Sequence, residues 1–261
     1  MDSTQNITQP SLAIDIERDK LSYLIYGHDI KPEMATIIFD NGDDLKQALE
    51  NAVYDTPLLL EEYSHTTIVL HSQHFVVMPA ELMPLASQVF QASFSSLEGE
   101  LMTCQVKNTD VAISCDVPQD VLALLNRTFG NPILLHHLAP LIAYCAAAYT
   151  DDNGCMHINI NKEVAHIVAT NNGKLKLANT YHYRSAEDII YFALAAFKEC
   201  HFDSRADKIL LSGENELRAT LAEKLRQRIA HVMPEVFPAQ ALALGKDAIN
   251  IPFNLIATTL Y

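Results

Sequence analysis

Residues 156–213 read MHININKEVAHIVATNNGKLKLANTYHYRSAEDIIYFALAAFKECHFDSRADKILLSG, and this stretch decides the fold. Residues 156–160 and 164–170 are rich in strand-forming apolar residues, and residues 174–183 alternate polar and apolar as a half-exposed strand does. The turn Asn171-Asn172-Gly173 joins the last two because Asn and Gly tolerate positive φ. The stretch therefore begins with three consecutive antiparallel strands.

A helix and a further strand complete this unit. Ser185 is followed three residues later by Asp188, which predicts a capped helix start. Ile189, Phe192 and Ala196 then recur at helical spacing and predict one buried face. Residues 208–211 predict a strand that ends in a turn at Ser212-Gly213.

A second copy of the pattern lies near the N-terminus. Residues 13–29 (AIDIERDKLSYLIYGHD) parallel residues 157–173 (HININKEVAHIVATNNG) with a one-residue gap, which places Asp15 on Asn159 and Ser22 on Ala165. Each copy continues into a third strand, a capped helix and a further strand. Repetition of this kind predicts an internal duplication; the alternative is that two α/β lobes resemble each other by chance.

The best boundary between the two copies is the polar segment TDDNG at residues 150–154. We therefore predict an α/β protein with a first lobe over residues 1–150 and a second lobe over residues 151–261. The C-terminal residues 241–261 predict one or two strands or a short helix around Pro252, without a choice between them.

Composition excludes several classes of function. The 261 residues are 49% apolar and 19% charged, which indicates a globular protein, and the formal net charge is −14. Such a field repels phosphate backbones and anionic lipid, so no nucleic acid is expected as a partner. The most apolar run, residues 132–149, is interrupted by two histidines and Pro140, so no membrane insertion is expected.

Cysteine use and the N-terminus predict the cellular compartment. The number of cysteines is five, and no CxxC pair occurs, so neither a disulfide framework nor a zinc knuckle is expected. The first ten residues, MDSTQNITQP, are polar and do not form a signal peptide. These features favour a cytoplasmic location.

Two tandem ribonuclease H-like βββαβα lobes resemble the actin-like ATPase superfamily, which includes actin, sugar and acetate kinases and heat-shock chaperones. In that superfamily the hairpin tip of each lobe meets the ATP phosphates, commonly as Asp-x-Gly, and a later strand–Gly-Gly–helix unit meets the adenosine. More narrowly, the chain resembles a bacterial domain-of-unknown-function family with this fold, through residues 75–79 (FVVMP) followed by a helix.

The resemblance implies a nucleotide cleft between the lobes. The matching segments are Asp15-Ile16-Glu17, Asn159-Ile160-Asn161 and Leu211-Ser212-Gly213-Glu214, with Lys162 beside the second hairpin tip. The candidate cofactor-binding positions are therefore Asp15, Glu17, Asn159, Asn161, Lys162 and Gly213.

These positions depart from the superfamily pattern where phosphate is bound. Glycine lets backbone N–H groups approach phosphate, yet Glu17 and Asn161 stand at the two hairpin tips. The Glu17 carboxylate would repel phosphate, and Asn159 replaces the aspartate that holds magnesium through water. The eight glycines include no adjacent pair and no GxGxxG motif. We therefore expect a degenerate nucleotide site without a cofactor; the alternative is an ATP/Mg²⁺ site.

Histidine spacing predicts no metal site. His71 and His74 are three positions apart, which on strands directs them to opposite faces. His136 and His137 are neighbours and are also expected to diverge, with one of them buried and hydrogen-bonded.

Three functions remain open. The first is a non-catalytic protein-interaction or scaffold module that binds an unknown protein partner or a second copy of itself; this is the reading we favour, and it makes the chain a non-enzyme. The second is an ATP-binding phosphotransferase or ATPase with a phosphate site rebuilt around Asp15, Lys162 and Gly213. The third is an α/β enzyme with a Cys–His nucleophile formed from Cys145 or Cys155 and His157.

Overall fold

The computed structural model of the chain describes residues 9–28, 30–40, 44–236, 238, 244 and 251–261. Of the C-terminal residues 241–261, residues 241–243 and 245–250 lie outside the described residues, and of the alternatives predicted for this tail the short helix is present at Phe253–Thr259. The strands are β1 (Ser11–Ile16), β2 (Lys20–Tyr26), β3 (Glu33–Ile38), β4 (Thr66–Leu70), β5 (Phe75–Pro79), β6 (Glu100–Gln105), β7 (Val111–Val117), β8 (Ile133–His136), β9 (Gly154–Ile160), β10 (Val164–Asn171), β11 (Lys174–His182), β12 (Lys208–Gly213) and β13 (His231–Pro234). The helices are α1 (Leu45–Asp55), α2 (Ala86–Ser93), α3 (Gln119–Phe129), α4 (Leu138–Ala148), α5 (Ala186–Glu199), α6 (Asn215–Arg226) and α7 (Phe253–Thr259).

Two five-stranded sheets share one topology. The first has the order β3-β2-β1-β4-β8, and the second has the order β11-β10-β9-β12-β13. In each, the first three strands are antiparallel, and the fourth and fifth strands pair in parallel beside the first. This repeated order confirms the predicted α/β fold with two lobes.

The chain between β4 and β8 of the first lobe carries an addition. Strands β5, β6 and β7 form a separate antiparallel sheet with the order β5-β7-β6. The helix expected after residues 75–79 begins as a 3-10 helix, Ala80–Leu85, and becomes α2 only at Ala86. Pro84 accounts for the difference because proline has no N–H and its ring clashes in an α-helix interior. The sequence reasoning did not predict β13.

The two opening hairpins match without a gap. Asp15 pairs with Ser22, and Asn159 pairs with His166. Both hairpins also close in the same way: Glu17 N–H donates to the Lys20 carbonyl and Asn161 N–H to the Val164 carbonyl, each at 2.9 Å. Ser22 therefore corresponds to His166, and the predicted correspondence with Ala165 is wrong because the two loops have equal length.

Each sheet buries its outer face under two amphipathic helices. In the first lobe, Leu49 of α1 and Leu125 of α3 pack on apolar residues of β1, β2 and β4. In the second lobe, Ile189 of α5 and Leu221 of α6 pack on β9, β10 and β12. These two cores explain why the helices that follow β3 and β11 have apolar stripes.

The last helix of each lobe crosses to the other lobe. Helix α4 follows β8 of the first sheet, yet it contacts β10 and β11 of the second. Helix α7 follows β13, yet Leu255 and Ile256 pack against Ala13 and Leu24 of the first sheet. The predicted division at residue 150 lies between α4 and β9, and it remains a prediction.

None of the described helices combines the length and the apolar character needed to cross a bilayer.

Removing the side chain of Leu255 tests this crossing. Leu255 is fully buried against the first sheet, so we expect Leu255→Ala to lower the free energy of unfolding by about 2–5 kcal/mol through lost burial and a cavity. Urea denaturation measures the change. The matched control is Leu60→Ala, whose side chain is 56% exposed. An equal effect of both changes would contradict the packing of α7.

Candidate ligand-binding cleft between the lobes

A cavity of about 1290 Å³ opens where the two sheets meet. Its wall combines the end of the β1–β2 hairpin, the end of the β9–β10 hairpin, the residues after β12 and β13, and the start of α7. Of the predicted positions, those that line it are Asp15, Glu17, Asn161, Lys162 and Gly213. Asn159 is buried, with 1% exposure, and does not line the cavity. Whether these residues bind a cofactor remains a prediction.

The tip of the first hairpin is acidic and already paired. Glu17 forms an ion pair with Lys20 at 3.1 Å, and its backbone N–H closes the hairpin. The N–H that glycine would offer to phosphate in this position is therefore used inside the hairpin. The nearest cation, Lys20, is shared with a carboxylate.

Asp15 is a buried carboxylate with partners on both oxygens. Its side chain is only 3% exposed. Oδ1 lies 2.8 Å from His71 Nε2, and Oδ2 accepts a hydrogen bond from the Asn254 amide. Asn254 belongs to α7, so the crossing helix from the far end of the chain reaches the first hairpin.

Polar contacts from neighbouring segments hold the second hairpin, β9–β10. The Asn159 Oδ1 atom accepts a hydrogen bond from the Ser212 hydroxyl at 2.8 Å, which links β9 to β12. The Tyr183 hydroxyl donates to the Asn161 carbonyl. Asn159 Nδ2 is buried and has no hydrogen-bond partner among the described residues. These contacts fix the hairpin and leave the Asn161 side chain near His166, at 3.3 Å.

Gly213 is required by the backbone around it. Its φ is +93°, and a Cβ there would lie 1.9 Å from the Ile160 carbonyl oxygen. The next residue, Glu214, donates its N–H to that same carbonyl at 3.1 Å. The close approach of β12 to the tip of β9 therefore accounts for this glycine, whether or not a nucleotide binds.

Two glycine substitutions separate the cost of a positive φ from the cost of the backbone clash. We expect Gly213→Ala to lower the free energy of unfolding by about 3 kcal/mol or more, because strain at positive φ adds to a backbone clash. Gly130→Ala is the control: its φ is +63°, but no atom lies within 4 Å of the added Cβ. That change should cost only about 1–2 kcal/mol. Chemical denaturation of both variants measures the difference, and equal costs would contradict the clash.

His136 and His137 do not diverge as predicted. Their ring centroids are 4.0 Å apart. The reason is that β8 ends at His136, and His137 has a helical backbone, with φ −57° and ψ −25°, at the start of α4. Both are buried, and His136 Nδ1 accepts the N–H of Leu138 at 3.3 Å. Burial lowers the pKa of His136 to about 3.

His137 meets two other histidines, His71 and His166, beside Asp15. His71 follows β4, His137 follows β8, and His166 lies on β10 of the second lobe. One ring nitrogen of each lies within 4.8 Å of one ring nitrogen of the other two. The same criterion groups Asp15 and Glu17 with His71, and these groups could hold a metal ion. Among the described residues, His74 belongs to neither of these two groups.

The histidines differ in their expected charge. Burial and the neighbouring imidazoles lower the pKa values of His137 and His166 well below the usual value. Burial also acts against a charged His71, but the carboxylates of Asp15 and Glu17 outweigh it and raise its pKa. His71 therefore carries the positive charge most readily, opposite Asp15.

Sequence reasoning missed this cluster, although one signal was present. Residues 66–70 and 133–135 are apolar, as buried strands are; His71 comes directly after the first segment and His137 two residues after the second. In the structure these strands are parallel neighbours, with Leu70 beside His136. Because parallel neighbours end at the same edge of a sheet, residues that follow them lie close together. The contribution of His166 depends on how the lobes pack, which spacing does not report.

A second buried carboxylate lies on the other side of the cleft. The Glu235 side chain is 3% exposed. It accepts hydrogen bonds from the Tyr149 hydroxyl, at 2.6 and 2.8 Å, and from the Tyr144 hydroxyl at 3.0 Å. Burial raises the pKa of Glu235, although both tyrosines favour its charged form. His157 Nε2 is 3.7 Å away, and burial lowers the pKa of His157 to about 3.

Tyr149→Phe tests this network. Loss of the donor leaves a buried carboxylate poorly paired, so we expect unfolding free energy at neutral pH to fall by about 1–3 kcal/mol. Loss of the Tyr149 hydroxyl also raises the pKa of Glu235 in the folded protein further above the usual 4.5. A raised folded pKa means that stability falls as pH rises past 4.5, so the variant's deficit should grow from pH 4 to pH 8.

Urea denaturation across that pH range measures the deficit. Tyr54→Phe is the control because Tyr54 is 84% exposed. A deficit for Tyr149→Phe that does not change with pH would contradict a charged Glu235 as the partner of this hydroxyl.

The Cys–His nucleophile finds no support in the arrangement of these residues. Cys145 and Cys155 are 0% and 1% exposed. Burial raises the pKa of Cys155 to about 12 and that of Cys145 well above its usual value. The thiolate is the reactive form, so buried thiols of raised pKa are poor nucleophiles.

Two lobes of the same strand order around one cleft define a protein of the actin-like ATPase fold. A protein of unknown function with this fold from Bacteroides thetaiotaomicron is similar over 99% of both chains, with a TM-score of 0.79 and 22% identity. The PilM–PilN type IV pilus biogenesis complex contains a chain that covers 96% of this one and is itself 98% covered, with a TM-score of 0.59 and 14% identity. A chain of the AlfA filament bound to AMPPNP is similar over 97% of this chain and 96% of its own, with a TM-score of 0.50 and 12% identity.

The family follows from the sequence match. The family model described as protein of unknown function, DUF3822, matches residues 2–232. The chain therefore belongs to the DUF3822 family, and this confirms the predicted family of unknown function with an actin-like fold. No curated protein matches the sequence.

Proposed function

We propose that the chain is a non-catalytic, cytoplasmic protein-interaction or scaffold module whose nucleotide site has degenerated. In this proposal its two lobes descend from one duplicated unit, and the cleft between them supports the shape of the molecule. Catalysis on ATP is not its function.

The state of Asp15 carries the proposal. An aspartate that serves a bound nucleotide needs free carboxylate oxygens for a hydrated magnesium ion. Here one oxygen faces His71 at 2.8 Å and the other accepts from Asn254. Because Asn254 lies on α7, release of this oxygen would break a contact between the crossing helix and the first hairpin. The contacts favour a carboxylate with a structural role.

The charge of the cleft also favours degeneration. Four acidic side chains and three basic ones line it: Asp15, Glu17, Glu214 and Glu235, against Lys20, Lys162 and Arg218. Lys20 is already paired with Glu17. A triphosphate needs an excess of donors and positive charge, because its own charge is strongly negative.

A partner-binding role is consistent with a relative of the same fold. The chain similar to this one in the PilM–PilN structure is part of a complex. We extend this to the present chain as a proposal only: either another protein or a second copy of the chain is bound. Sedimentation at rising concentration distinguishes the two, since self-association would double the 29.0 kDa mass.

The alternative is an ATP-binding phosphotransferase or ATPase. Two observations favour it: the cavity of about 1290 Å³ contains Lys162 and Arg218, and the similar AlfA filament was bound to AMPPNP. In this alternative Lys162 meets the phosphates beside the second hairpin tip.

Calorimetric titration with Mg-ATP decides between them. We expect no binding with Kd below about 1 mM. Sub-millimolar binding that is weakened in Lys162→Ala, and not in the control Lys174→Ala, would overturn the degenerate site and support the alternative. Lys174 is exposed at the β10–β11 turn. Gly213 is unsuited to this test, because a side chain there meets the Ile160 carbonyl.

A further inference from the structure

The histidines beside Asp15 form a cluster that joins the two lobes. His71 and His137 come from the first lobe, and His166 comes from β10 of the second. The ring centroids of His137 and His166 are 4.7 Å apart, and those of His71 and His166 are 5.6 Å apart. Imidazole is among the commonest protein ligands of transition metals, and these rings come from three separate segments.

Polar groups behind the rings hold each of them in place. The Thr180 hydroxyl lies 2.7 Å from His137 Nε2 and 2.9 Å from His166 Nδ1. Asp15 Oδ1 lies 2.8 Å from His71 Nε2. Outer partners of this kind, a carboxylate above all, orient ligand histidines in metal sites and raise their basicity.

One buried ring nitrogen of the cluster, His137 Nδ1, lacks a hydrogen-bond partner among the described residues. His137 is 4% exposed. A buried polar atom with no partner is costly, which favours a ligand at this atom. A metal ion would satisfy a lone pair on this atom.

We propose that His71, His137 and His166 bind one divalent transition-metal ion, with Zn²⁺ as the ion that best fits three imidazoles, and that the ion ties the two lobes together. Asp15 is the outer partner of His71, and its charge and that of Glu17 favour a cation here. Three protein ligands leave a fourth position of the ion open to water or to a ligand.

Coordination requires movement of the rings. Zn–N bonds are about 2.0–2.1 Å long, so the three nitrogens must approach from their present separations of up to 4.8 Å. The rings of His71 and His137 are stacked, with an interplanar angle of 13°. The rings must therefore turn about their side-chain torsions before their nitrogens can face one ion. The proposal does not depend on whether the cleft binds nucleotide.

Metal titration of the untagged full-length chain tests the site. After removal of metal with a chelator, Zn²⁺ is titrated in competition with a chromophoric chelator. We expect one ion per chain, a rise in thermal midpoint with Zn²⁺, and a loss of affinity of about tenfold or more in His137→Gln and in His166→Gln. His231→Gln is the control, because His231 is exposed on β13.

His71→Gln is the third ligand variant. Its side chain is 14% exposed and the least buried of the three, so this variant is expected to disturb folding least. Co²⁺ in place of Zn²⁺ reports the donors: tetrahedral imidazole ligation gives visible absorption without thiolate charge transfer. Thiolate charge transfer would place the ion on a cysteine such as the half-buried Cys200 and overturn the proposal. Absence of stoichiometric binding, or equal affinity in all three ligand variants and wild type, would overturn it as well.

Discussion

The crossing of α4 and α7 is the packing on which the rest of the structure depends. Each helix ends one lobe and covers the inner face of the other lobe's sheet, and the two helices also contact each other. The helices thereby help to bury apolar residues of the inner faces of both sheets. Leu255 on Leu24, and Ile142 with Val168, are examples of apolar contacts that neither lobe makes alone. The lobes thus pack together through these two helices, and α7 also lines the cleft.

This crossing also explains why polar side chains are buried at the junction. At the junction of the lobes, the buried polar side chains include those of Asp15, His137, Asn159 and His166. Burial of such groups is tolerated only when they are bonded to one another. Thr180 and Asn254 provide bonds across the junction. The polar contacts at the junction therefore depend on how the lobes pack. His137 and Asn159 each keep a buried atom without a hydrogen-bond partner among the described residues.

The fold was predictable from the sequence because its signals are local. The turn at Asn171-Asn172-Gly173 and the capped helix after Ser185 depend on neighbours within a few residues, and the structure has both. The hairpin tips were predictable through Asp15 and Asn161 for the same reason. The histidine cluster was not, because it joins β4, β8 and β10, and the adjacent rings of His136 and His137 depend on where β8 ends. Spacing along a chain does not report contacts between lobes.

The two lobes keep one backbone arrangement with different side chains at its key position. His71 N–H donates to the Ile16 carbonyl, and Glu214 N–H donates to the Ile160 carbonyl, both at 3.1 Å. His71 and Glu214 are therefore equivalent residues, each directly after the fourth strand of its sheet. At this point an anion would need backbone donors, yet both N–H groups are bonded inside the protein, and the side chains are an imidazole and a carboxylate. Neither position therefore offers a free backbone N–H to an anion, and the Glu214 carboxylate would repel one.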